Sequence, residues 1–211
     1  MKKLTFLFAI LLVSFASLAQ NEKYEATMKG LVSKINNAPF TESLVPLSNQ
    51  MERIASAEKN EWLPNYWVAY CNILESIKKT DEDEKDLILD KAEEYIKKAD
   101  ALVKNNDEME HLHAYYNNAR MIVSPMTRWM TYGPKIEEHI KAAKKLNPTN
   151  PRVALLEAEG VFYKPEMFGG GKDVAKPMLV SAQKMYQEFT PKNEMMPNWG
   201  NGFVEYYLSQ Y

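Results

Sequence analysis

The residues with the most chemical potential are few. Gly169-Gly170-Gly171-Lys172 could aim backbone N–H groups at an anion near a helix start. A phosphate loop needs more than that. The position five before Gly171 is Glu166, the residue after Lys172 is Asp173, and no strand precedes the run, so three glycines serving a tight chain reversal are the better account. Glu110, His111 and His113 have metal-like composition, yet side chains at i and i+2 of a helix point about 200° apart and cannot share one ion. His139 falls on another helix. Cys71 occupies the small, buried position of an apolar helix, where a nucleophilic thiol would lack a base. Carboxylates are plentiful, but none stands in the apolar, glycine-framed setting of an acid/base pair. No catalytic residue, metal ligand or cofactor is expected. The acidic run Asp81–Asp86 lacks the glycine and closing glutamate of a calcium loop and suits a solvated helix start, with Thr80 as the cap.

The aromatic residues Trp62, Tyr66, Trp67, Tyr70, Tyr115, Tyr116, Trp129, Tyr132, Phe162, Tyr163, Trp199, Tyr206 and Tyr207 could stack a sugar, although at helical spacing such residues usually fill a core. Trp129, with Met126 and Met130, is placed in a loop and is the better candidate for an exposed contact.

The elements that must position these residues are helical throughout. Apolar positions recur with period 3.6 and no stretch alternates with period 2. The spacing predicts helices over 23–36, 41–57, 63–79, 85–104, 109–123, 134–146, 151–163, 173–189 and 197–210, with Pro134 opening the sixth. An internal repeat ties them together. Ala92-x3-Ile96-x2-Ala99, Ile136-x3-Ile140-x2-Ala143 and Ala175-x3-Leu179-x2-Ala182 align, with a weaker Leu47-x3-Met51-x2-Ile54 before them, at offsets of 45, 44 and 39. Ala119 to Ala158 and Pro125 to Pro165 keep offsets of 39 and 40.

Over roughly residues 40–190 the chain resembles the tetratricopeptide repeat family. Ala143-Lys144-Lys145-Leu146-Asn147-Pro148-Thr149-Asn150-Pro151 is similar to that family's repeat junction, and Trp67-Val68-Ala69-Tyr70-Cys71-Asn72-Ile73-Leu74 to its first-helix pattern. The period is longer than about 34, and the extra residues are placed in loops at 124–132 and 164–171. Repeats of the HEAT kind share the longer period, but the proline junction favours the tetratricopeptide reading. The resemblance implies an all-α, right-handed superhelix of about four hairpins plus a C-terminal capping helix. It also implies a concave groove, lined at the family's phase by Asn65, Asn72, Glu75, His113, Tyr116, Arg120, Arg152 and Glu159, and suited to a protein or peptide partner.

The N-terminus reads as an export signal. Lys2 and Lys3, the apolar run Leu4–Phe15 and the small-residue exit Ala16-Ser17-Leu18-Ala19 predict a signal peptide over 1–19, cut between Ala19 and Gln20. An uncleaved anchor is the rival. Residues 20–211 then form one helical domain, periplasmic or secreted, with no transmembrane segment. Without the leader, 24 basic residues stand against 28 acidic, which argues against a nucleic-acid partner. A lone cysteine supplies no internal disulfide. The expected function is a non-catalytic exported interaction module or adaptor. The alternative is a solute- or glycan-binding accessory of an envelope uptake system.

Overall fold

The computed structural model describes residues 21–211. The predicted signal segment and its cut between Ala19 and Gln20 lie outside the described residues. Within them the chain is all helix, with no strand. Helix α1 covers 21–37, α2 Val45–Ala57, α3 Trp62–Ile77, α4 Glu82–Leu102, α5 Asp107–Val123, α6 Pro125–Leu146, α7 Pro151–Tyr163, α8 Lys172–Glu188 and α9 Asn201–Leu208.

Helix starts follow side-chain chemistry. Asp81, rather than the expected Thr80, caps α4 by accepting from the Glu84 N–H at 2.8 Å, with Glu82, Asp83 and Glu84 in the first turn beside the positive dipole end. Asn106 and Asn150 cap α5 and α7 in the same way. The largest departure from expectation is α6. It begins at Pro125, directly after α5, so 124–132 is helix rather than loop, and Pro134 sits inside the helix. Proline at the first helical position loses no bond, so the chain can restart helix immediately at Pro125. The bond that Pro134 removes lies on an exposed stretch where water can satisfy the freed carbonyl. The extra length of this repeat is therefore added helix.

Consecutive helices pair as hairpins α3–α4, α5–α6 and α7–α8, with α3 beside α5 and α5 beside α7. The aligned small residues make this close approach possible: Cys71, Ala92, Ala99, Ala119, Ala143, Ala158, Ala175 and Ala182 are buried. One core runs from α1 through α5, and a smaller one joins α7, α8 and α9 around Leu155, Leu179 and Val204.

Between α8 and α9 the chain turns back across the first helices of the hairpins. Phe189 lies 4.6 Å from the Arg152 guanidinium on α7. The Met195 carbonyl accepts from Trp67 Nε1 on α3 at 2.9 Å, and Asn36 on α1 donates to the Asn198 amide oxygen. Trp199 inserts between α3 and α5, stacked on Tyr70 at 4.4 Å and 5.3 Å from both His111 and Tyr115, while its Nε1 donates to the Tyr66 hydroxyl at 3.0 Å. Gly200, at φ 113°, completes the crossing. A Cβ there would meet the Tyr186 hydroxyl oxygen at 1.9 Å, so only glycine fits this approach.

Candidate functional site

Internal partners decide the fate of the expected groove. Asn65, Asn72, Glu75, Tyr116, Arg120 and Arg152 are all buried, and each is tied to the protein itself. Asn65 donates to the Glu61 carbonyl, and Asn72 donates to the Val68 carbonyl and to Ser48 on α2. Glu75 accepts from the Leu44 N–H at 2.6 Å and from Lys78 at 2.8 Å, supplying the cap that Leu44 cannot give α2. Burial pushes its carboxyl up, but Lys78 and the Leu44 N–H outweigh it and hold the pKa below the ordinary value.

Tyr116 and Arg120 belong to one network. Arg120 Nε donates to the Tyr116 hydroxyl at 2.8 Å, and the guanidinium reaches Asp86 and Asp90 on α4, with Arg128 of α6 also on Asp86. The hydrogen bond from Arg128, joined by Arg120, lowers the Asp86 carboxyl to about 2. Arg152 is fully enclosed and paired with Glu108, which also accepts from Asn150 at 2.9 Å. Burial holds the Glu108 carboxyl above its ordinary value against the pull of that guanidinium. These six residues do not line an open groove. Their partners lie on neighbouring turns and helices, and only Arg152 meets the crossing segment, at Phe189.

His113 is half-buried, its Nε2 2.9 Å from Asp100 on α4. The fold brings His139 of α6 against it, rings 4.6 Å apart and 10° from parallel, with His139 Nδ1 2.8 Å from Glu110. Stacked rings direct their lone pairs into parallel planes, so this pair does not converge on one ion. Among the described residues no group of three or more His, Cys, Asp or Glu is placed to hold a metal. Cys71 is buried and its thiol pushed well up by desolvation, which removes its nucleophilicity.

The exposed apolar surface lies elsewhere. Turns within successive hairpins fall on one edge of the stack. That edge carries Met126, Trp129 and Met130 at the start of α6, and Tyr163, Met167 and Phe168 at the end of α7 and in the turn beyond it, all exposed. Trp129, expected as an exposed contact in a loop, is thus exposed on helix instead.

From Tyr163 an aromatic face continues onto α9 and the last residue. Phe162 lies 5.1 Å from Tyr163, 5.0 Å from Tyr207 and 6.5 Å from Tyr211, and Tyr206 lies 5.5 Å from Tyr207. The Tyr207 hydroxyl donates to that of Tyr163 at 3.5 Å. Tyr163 is 69% and Tyr206 58% exposed. Monomeric proteins rarely leave so many large apolar side chains together in water without use for them. The clue in the sequence was the pairing of neighbours, Phe162-Tyr163 and Tyr206-Tyr207. Adjacent helical residues point about 100° apart, so both members of a pair cannot face the same core.

Glu159, the one expected groove residue on this side, contributes from below. Part of its residue surface stays open, but its carboxyl is enclosed, and burial raises it from 4.5 to about 8, with the polar Tyr207 phenol offsetting only part of the rise. The folded state therefore holds this proton more tightly than the unfolded chain. The resulting stabilisation is complete below about pH 4.5 and is lost as pH rises through about 8. Glu159→Gln is expected to match the parent in thermal unfolding at pH 4 and to exceed it by roughly 2 kcal/mol, or about 4–8 °C in Tm, at pH 9. Equal melting differences at both pH values would show that the carboxyl is not held protonated.

No family model matches the chain, and no curated protein matches it. Among solved structures it is similar to the HusA haemophore from Porphyromonas gingivalis, with 32% identity, a TM-score of 0.77, and coverage of 89% of this chain and 92% of that one. Likeness of sequence and of fold over nearly the full length of both chains places this protein in the family of the HusA haemophore.

Proposed function

We propose that this protein is a non-catalytic carrier of haem or a closely similar planar tetrapyrrole, working outside the cytoplasm as an accessory of an envelope uptake system. The observation that carries this reading is the aromatic face of exposed Tyr163, Tyr206 and Tyr211 around half-buried Tyr207, found in a chain akin to a haemophore. A broad, flat apolar ring needs an equally broad apolar surface to leave water, and stacking on aromatic rings adds about 0.5–1.5 kcal/mol per pair beyond area burial. The wider frame is proposed to wind as a right-handed, tetratricopeptide-like superhelix, whose hairpin turns present this surface. A peptide-binding adaptor has less support, because residues 195–200 occupy the face where a peptide would lie.

Titration of the purified protein with haem, followed by absorbance in the Soret region, tests the proposal. Saturable binding at micromolar affinity or better is expected. A Tyr163→Ala/Phe168→Ala/Tyr206→Ala variant, altered only at exposed positions, is expected to melt within about 1 kcal/mol of the parent and to bind at least about tenfold more weakly. Haem binding unchanged in that variant would remove the site, and absence of binding by the parent would remove the function.

A further inference from the structure

We infer that the ligand is bound as a dianion, its two carboxylates held by Lys172 and Lys176 on α8; this rests on the carrier reading above. Lys172 Nζ lies 5.3 Å from the centre of the Phe162 ring, and Lys176 Nζ lies 4.8 Å from that of Tyr211. Both ammonium groups therefore stand at the aromatic face itself. Residues i and i+4 share one side of a helix and rise about 6 Å along it, so the two charges form a pair of posts along one border of the face.

Eight of the twenty described lysines have their charge met by a carboxylate. Lys29, Lys78, Lys79, Lys91, Lys97, Lys98, Lys144 and Lys184 each have a glutamate within 4.0 Å. Lys172 and Lys176 make no such ion pair with the described residues and lie over ring faces instead. A ring face orients an ammonium without neutralising it, leaving the charge available to a ligand anion. Tyr211 is fixed for this purpose. Its hydroxyl donates to the Lys172 carbonyl, pinning the last residue of the chain onto the first turn of α8. Asp173, whose charge acts on the Tyr211 phenol, and Glu166, folded against Gly171, also border the region. These two carboxylates offset part of the positive charge along this border, which the two ammonium groups together supply. An apolar ring with two carboxylates on one edge, as in haem and protoporphyrin, fits this arrangement of flat face and paired cations. The glycine turn before Lys172, unfit for a nucleotide phosphate loop, brings the lysine to the edge of the face.

The experiment uses the full mature chain and a Lys172→Gln/Lys176→Gln double variant, with protoporphyrin IX and its dimethyl ester as probes, read by fluorescence at low and high salt. The parent is expected to prefer the diacid to the diester by about five- to thirtyfold at low salt, and salt should erode the preference. The double variant is expected to lose that preference while keeping the parent's affinity for the diester. Equal diacid preference in parent and variant would overturn the assignment of the lysines and leave the carrier reading standing. Failure of the parent to bind either porphyrin or haem would overturn both.

Discussion

Trp199→Ala should lower stability by about 3–5 kcal/mol, a fall of roughly 8–15 °C in Tm for a domain of this size. The side chain is almost wholly buried and touches Tyr70, His111 and Tyr115 from a segment far away in sequence. Truncation removes those contacts and leaves a cavity between α3 and α5. It also strips the Tyr66 hydroxyl, itself fully enclosed, of the Trp199 N–H that it accepts. Hydrogen exchange localises the effect. Protection should fall first in 189–200 and along the faces of α3 and α5 beneath it, while α8 keeps its protection. Uniform loss across the chain would show that the crossing segment is not a separable layer.

Glu108→Ala should cost about 3–5 kcal/mol, because it leaves the Arg152 guanidinium buried with no counter-charge. Arg152 already has one nitrogen, Nη1, without a protein hydrogen-bond partner, so little else can take up the charge. Removing both charges is a different matter. Glu108→Leu/Arg152→Met keeps similar volumes and discards both desolvation penalties, and is expected to be far milder than the single change, within about 1–2 kcal/mol of the parent. Chemical denaturation of the parent, the single and the double variant gives the coupling directly. A double variant as unstable as the single one would mean that the pair is held for its geometry, through Asn150 and Phe189, more than for charge compensation.

The reassignment of the groove follows from the same contacts. Polar residues at the groove phase of a helical repeat are bound for solvent only if nothing lies across them. In Asn72, Glu75, Arg120 and Arg152 the sequence presents side chains that read as a recognition face, yet Ser48, Leu44, Asp86 and Glu108 supply internal partners from helices far away in sequence. Buried charge is tolerated when it is paired and hydrogen-bonded, and helical periodicity carries no sign of whether a partner will be there.

By itself the sequence determined the helical class, the hairpin pairing and the positions of closest approach. Ala92, Ala99, Ala143, Ala158 and Ala182 are legible as contact points because a missing side chain constrains helix spacing locally, whatever the rest of the chain does. It also determined that glycine and lysine at 169–172 form no nucleotide loop. The tertiary structure alone decided which surface is free. Whether Pro125 starts a helix or ends one depends on α6 packing against α5, and whether Tyr163 and Tyr207 join a core or a face depends on where α9 lands. That landing is set by the path of 189–200 over α7, α5 and α3, held by Trp199 and by a glycine at 200 that only a close backbone approach explains. Periodicity is a local property and reports burial along one helix. Contacts between separate helices leave no period to read, and here they separate filled groove from open face.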